Sequence, residues 1–187
     1  AADDRVTLGA AVGTAVAVRI PNADSTLLHY VTKLVRPGDI VLIDRCGDVR
    51  HACWGGVITN AMKLAGVKAG VIDGLATDMS EFVKVDMPVW CRGPSPITTK
   101  LLNLEGQFNV PIGVGGQTVM PGDAVLCDES GVVVLNPAEA TAIAERAIAM
   151  QEAEIVLLNR LRAGERLPDI SGATAMVDGK RRGTLRQ

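Results

Sequence analysis

"GGVITNAMKLAGVKAGVIDGLATD", residues 55–78, contains a helix, a strand and a turn in close succession. Val57, Ile58, Ala61, Met62, Leu64 and Ala65 recur at helical spacing, and Gly66 suits a C-terminal cap. "AGVIDG" (69–74) reads as a short apolar strand, and "TDMSEFVKVD" (77–86) as a second short helix. Upstream, "VGTAVAVRI" (12–20) and "RPGDIVLID" (36–44) read as strands on either side of an amphipathic stretch over 26–35. Downstream, "MPVWCRG" (87–93) is another strand. Strands and helices in alternation predict an α/β unit with at least part of its sheet parallel.

Beyond residue 100 the pattern changes. "FNVPIGVGGQTVMPGDAVLCDESGVVVL" (108–135) breaks into short strands at Gly-Gly, Pro-Gly-Asp and Glu-Ser-Gly turns, which suggests an antiparallel layer. "PAEATAIAERAIAMQEAEIVLLNRLRAG" (137–164) is a long helix with Pro at its start and Gly at its end. The tail from Glu165 has little periodicity. No repeat or low-complexity linker divides the 187 residues, so one domain is expected over 1–187.

Composition narrows the function classes. Only two Trp, two Phe and one Tyr are present, so Val, Ile, Leu and Ala must build the core. A net charge of -2 leaves no basic excess for nucleic acid. The late cluster Lys180, Arg181, Arg182 and Arg186 reads as a solvated end. No apolar run approaches ~18 residues, so no membrane partner is expected. "AADDRV" lacks the features of a signal peptide. Cys46, Cys53, Cys91 and Cys127 form no metal-binding spacing and read as buried thiols, consistent with a cytoplasmic location.

Three places could carry chemistry. Gly55 and Gly56 open a helix after "HACW"; the amides of Gly55, Gly56, Val57 and Ile58 could cradle a carboxylate or phosphate, or the glycines could serve only close packing. Asp73 and Asp78 could hold a hard cation. Equally, "DMSE" (78–81) matches a capping box and Asp73 before Gly74 an ordinary turn. Arg92 and Lys100 flank the Pro-rich "CRGPSPITTK" (91–100), either as anion contacts or as solvated charges. His29 and His51 have no triad arrangement and read as structural or surface residues.

The order "ACWGG…GVKAGVIDGLATD", "PVWCRGPSPITTK", "NVPIGVGGQTVMPGDAVLCDESGVVVL" and a Glu-bearing helix resembles the RraA-like family over about Gly13 to Glu154. That family includes the regulator of ribonuclease E activity A and the class II 4-hydroxy-4-methyl-2-oxoglutarate aldolases; some members bear the name demethylmenaquinone methyltransferase. The resemblance implies a layered αββα-type sandwich related to the swivelling phosphohistidine fold. It implies a homotrimer or hexamer, and a lyase that forms a pyruvate enolate from a small 2-oxo or hydroxy acid by retro-aldol cleavage or decarboxylation. The family segment G-V-x-D-G-x-x-R-D falls on Gly70–Asp78. By that likeness Asp78 is the Mg²⁺ or Mn²⁺ ligand, the 55–58 amides hold the substrate carboxylate, and Asp73 stands behind the site. Glu154, with Glu152 nearby, reaches the site of a neighbouring chain.

Two residues depart from the pattern. Thr77 stands where the family has an arginine, and Gly56 where aldolases have an acid. Arg92 or Lys100 is then a candidate replacement for the missing cation, with Thr77 itself offering a hydroxyl. The N-terminal helical segment of the family is expected to be missing from this chain. The contrasting reading is a non-catalytic regulator, for example of a ribonuclease, that keeps the fold without the metal site.

Overall fold

The computed structural model describes residues 9–184, with side chains as far as Lys180. "AADDRV" and the side chains of Arg181, Arg182 and Arg186 lie outside the described residues. The chain divides into two compact units, with the boundary between Pro137 and Ala138; the sequence reading treats it as one domain.

In the first unit, β1 (Ala11–Arg19) pairs in parallel with β2 (Asp39–Asp44), which pairs in parallel with β4 (Ala69–Asp73). The short β6 (Val89–Trp90) extends this parallel set. On the other side of β1 run antiparallel β11 (Ala124–Asp128) and β12 (Gly131–Leu135), and β8 (Gln107–Phe108) pairs with the end of β1. The parallel strands are apolar almost throughout because both faces are covered. Val18, Ile43 and Ile72 point to the face bearing α1 (Thr26–Val31), α2 (Gly56–Leu64) and α3 (Met79–Lys84). Ala15, Leu42 and Val71 point to the opposite face, closed by the hairpin β9 (Ile112–Val114) and β10 (Gln117–Val119). The sheet curls, and the Trp90 indole N–H donates to the Asp128 carbonyl at 3.0 Å, tying β6 to the far end of β11.

A second, small sheet escapes the sequence reading. It consists of parallel β3 (Ala52–Trp54), β5 (Leu75–Ala76) and β7 (Gly93–Pro94). Strands of two or three residues are too short to show a period of two. Trp54 is fully buried beneath Gly70, where a Cβ would lie 2.9 Å from the indole ring. An aromatic-poor core thus places one of its largest side chains beside the start of α2.

The second unit holds α4 (Pro137–Arg162), α5 (Leu167–Ile170) and α6 (Ala173–Thr184). The helix predicted over 137–164 is present. The residues after Glu165, read as aperiodic, also form helices; the polar character of "ATAMVDGKRRGT" and its internal glycines hide the signal. Among the cysteines, Cys53 and Cys127 are buried as expected, but Cys46 is exposed in the turn after β2.

Candidate active site

The small sheet brings the two glycines and Asp78 together. β3 and β5 run side by side, so their carboxyl ends, Gly55 and Thr77–Asp78, emerge next to one another. The Thr77 N–H donates to the Trp54 carbonyl at 2.8 Å. Gly55 has extended backbone, yet a Cβ there would lie 2.8 Å from Thr77 Cγ2 and 2.9 Å from Asp78 Oδ2. The first glycine is therefore required by close packing against the acid. The second is looser, with a Cβ meeting nothing nearer than 3.4 Å.

Asp78 does not form the capping box its sequence suggests. Its backbone is left-handed, φ 57° and ψ 42°, and its side chain makes no cap bond to α3. Instead Oδ2 accepts the Gly56 N–H at 2.8 Å, at the N-terminus of α2. The positive end of that nine-residue helix and its unpaired amides favour a carboxylate there. Glu81, the other member of the expected box, accepts from Asn60 at 3.0 Å and pairs with Lys84 at 3.3 Å. These bonds hold its carboxyl below the usual range. The Asn60 amide also donates to the Gly56 carbonyl at 2.9 Å. Behind the helix start, the Trp54 indole donates to the Thr59 hydroxyl at 2.9 Å, which donates to the Gly55 carbonyl at 2.8 Å.

Around Asp78 opens a pocket of about 200 Å³. Its walls include Thr77, the Gly55–Ile58 segment, Ser25 just before α1, His29 from α1, and Thr98 and Thr99. Among the described residues the first-turn amides of Val57 and Ile58 have no backbone acceptor outside α2. Cys53 also lines the pocket, and burial pushes its thiol up to about 12. His29, read from the sequence as structural or surface, is exposed and lines this pocket. It arrives through long-range pairing: Ser25 N–H donates to the Lys100 carbonyl at 2.9 Å, and Thr99 N–H to the Ala52 carbonyl at 3.1 Å. No local pattern signals either bond. His51 is structural as read, its Nδ1 2.8 Å from Asp48 Oδ2, with the fully buried Arg45 3.1 Å from the same oxygen.

Other predicted residues lie elsewhere. Asp73 ends β4 in the large sheet, whereas Asp78 follows β5 in the small one, so five positions of sequence lead into different cavities. Asp73 Oδ1 accepts from Arg92 Nε, and its Oδ2 accepts the Gly115 N–H at 3.0 Å. Neither Asp73 nor Arg92 lines the Asp78 pocket. Lys100 borders it through backbone bonds to Ala23 and Ser25, with an exposed side chain. Glu152 and Glu154 are exposed residues of α4, in the second unit.

Among the described residues no group of three or more His, Cys, Asp or Glu side chains is placed to cage a metal. What the pocket offers is one carboxylate, with Oδ2 on a backbone amide and Oδ1 3.4 Å from the Thr77 hydroxyl, surrounded by further hydroxyls. A set of oxygen donors built on a single carboxylate matches the way hydrated Mg²⁺ is bound beside a chelating substrate.

Fold and site together define an α/β protein with a curled sheet and a pocket at the carboxyl ends of two short parallel strands. More particularly, the chain belongs to the RraA-like family: the Aldolase/RraA family model matches residues 3–134. A protein of Halalkalibacterium halodurans, provisionally named a 4-hydroxy-4-methyl-2-oxoglutarate aldolase, is 29% identical over 136 residues, which cover 73% of this chain. The match spans 64% of that relative's own length. An uncharacterised protein of Methanocaldococcus jannaschii is 31% identical, over 84% of this chain and 76% of its own. Among solved structures, RraAS2 of Streptomyces coelicolor, described as an unusual member of the RNase ES inhibitor RraA family, superposes with a TM-score of 0.70. It is 27% identical, with 80% of this chain and 76% of that one covered. An uncharacterised Pseudomonas syringae protein reaches a TM-score of 0.75 at 27% identity, covering 88% of this chain and 76% of its own.

Proposed function

We propose that this chain is an aldolase-type lyase that cleaves a small 2-oxo acid at the pocket around Asp78, with Mg²⁺ or Mn²⁺ as cofactor. The observation that carries this reading is the bond from the Gly56 amide to Asp78 Oδ2, which joins a carboxylate to an anion-binding helix terminus in one pocket. The aldolase name of the relative from Halalkalibacterium halodurans supports it.

Each residue then has a part. Asp78, oriented by Gly56, holds the cation, and the Val57 and Ile58 amides bind the substrate carboxylate. Thr77 contributes a hydroxyl at the edge of the metal position. His29 faces the same space and holds or releases the proton that cleavage moves. When bound, the cation supplies Lewis-acid stabilisation of the enolate charge. In an assembly of three or six chains, Glu154 of one chain completes the site of the next.

Thr77 in place of an arginine favours a second reading, a binding protein without catalysis, as does the relative RraAS2, described as a member of the RNase ES inhibitor family. Pyruvate release from 4-hydroxy-4-methyl-2-oxoglutarate and from oxaloacetate, with Mg²⁺ added, separates the two. The lyase reading predicts turnover that Asp78→Asn lowers by about 100-fold or more. Asparagine tolerates the left-handed backbone and can still accept the Gly56 N–H, so only the charge is lost. No turnover by the wild-type chain on either substrate would favour the binding protein.

A further inference from the structure

Asp73 and Arg92 line a cavity of about 440 Å³ in the first unit. It lies between the carboxyl ends of β4 and β6 on one side and the β9–β10 hairpin and β12 on the other. That volume is in the range of small-molecule sites, and open α/β sheets place ligands at the ends of their parallel strands. Its apolar side is formed by Val71, Trp90, Val114, Val119 and Val134. The Trp90 indole N–H is already used on Asp128, so its ring presents an apolar surface.

The polar groups are few and ordered. Asp73 is satisfied on one oxygen by the Gly115 amide and on the other by Arg92 Nε. This holds the guanidinium by its Nε edge, and among the described residues no acceptor is recorded for its two Nη groups. A guanidinium held in this way presents a fork that fits a carboxylate bidentately. Among the described residues that line the cavity, Arg92 is the one Lys or Arg and Asp73 the one acid, with Gln117 and Thr118 as neutral neighbours.

From this arrangement we propose a second ligand site, for a monocarboxylate with a compact apolar body, such as an arylalkanoate, its head on Arg92 and its body against Trp90 and the valines. Asp73 acts there as a positioning residue for Arg92.

The test is calorimetric titration with 3-phenylpropionate and with its amide at low ionic strength. The proteins are the wild-type chain, Arg92→Gln, Val114→Phe and Asp78→Asn. One saturable site per chain is expected in wild type and in Asp78→Asn. Arg92→Gln should weaken acid binding about tenfold or more, as should replacing the acid by its amide. Val114→Phe fills the cavity and should abolish binding, with thermal melting showing that it remains folded. The proposal is overturned if wild type shows no saturable binding, or if the amide binds as tightly as the acid. Binding kept in Arg92→Gln but lost in Asp78→Asn would also overturn it, by placing the probe in the other pocket.

Discussion

Gly55 and Gly56 adjoin in sequence, but a methyl group added to each meets different surroundings. At Gly55 it would press on Thr77 and on the Asp78 carboxylate; at Gly56 it has room. Gly55→Ala is therefore expected to cost about 1–3 kcal/mol in urea unfolding, and Gly56→Ala to stay within roughly 0.5 kcal/mol. Asp48 sets a second prediction. Burial pushes its carboxyl up, but the His51 and Arg50 amides, the His51 ring and Arg45 outweigh that and bring it from 3.8 to about 2. A folded-state value below the unfolded one stabilises at pH above the unfolded value and is lost as pH falls through the folded one. Between about pH 4 and pH 2 the fold should lose on the order of 2 kcal/mol from this group, a loss absent in Asp48→Asn, as acid titration followed by circular dichroism would show. The buried Asp24 acts in the same direction: burial opposes it, but bonds from Thr26, Leu104 and Leu102 hold its carboxyl well below the carboxylate range. At this scale the sequence is a partial guide. Asp78 stands out as a candidate, but "DMSE" satisfies a capping box by spacing while the left-handed backbone at Asp78 turns the carboxylate towards another helix.

The long elements were legible because each shows its period over enough residues. β1, β2, β4 and α2 lie where alternation, apolar runs and the cap at Gly66 predict them. β3, β5 and β7 were not legible, and they are the elements that build the site. Their meaning resides in pairing, Ala52 with Leu75 and Trp54 with Ala76, which no local window contains. The same lack hid the approach of His29 to the Asp78 pocket and made Asp73 look like a companion of Asp78. Trp54 links the small sheet to α2 through its bond to Thr59. Trp54→Phe removes that donor from a fully buried position and leaves the Thr59 oxygen without it. A loss of roughly 1–3 kcal/mol in urea unfolding is expected, with the m-value unchanged.

At the scale of the molecule, membership of the RraA-like family and the α/β architecture agree with what the order of motifs implied. What that order could not supply is how charge is shared between cavities. Arg92, with Lys100 a candidate for the missing cation near Asp78, pairs instead with Asp73, and the described residues of the Asp78 pocket supply one acid, backbone amides, hydroxyls and an imidazole. On the proposed function, a cation and a chelating 2-oxo acid bind there together, each supplying charge the other needs. The most direct measurement is calorimetric titration of pyruvate into the chain with and without Mg²⁺, for wild type and Asp78→Asn. The account predicts Mg²⁺-dependent binding in wild type and none in the variant. Absence of binding in wild type, or equal binding by Asp78→Asn, would contradict it.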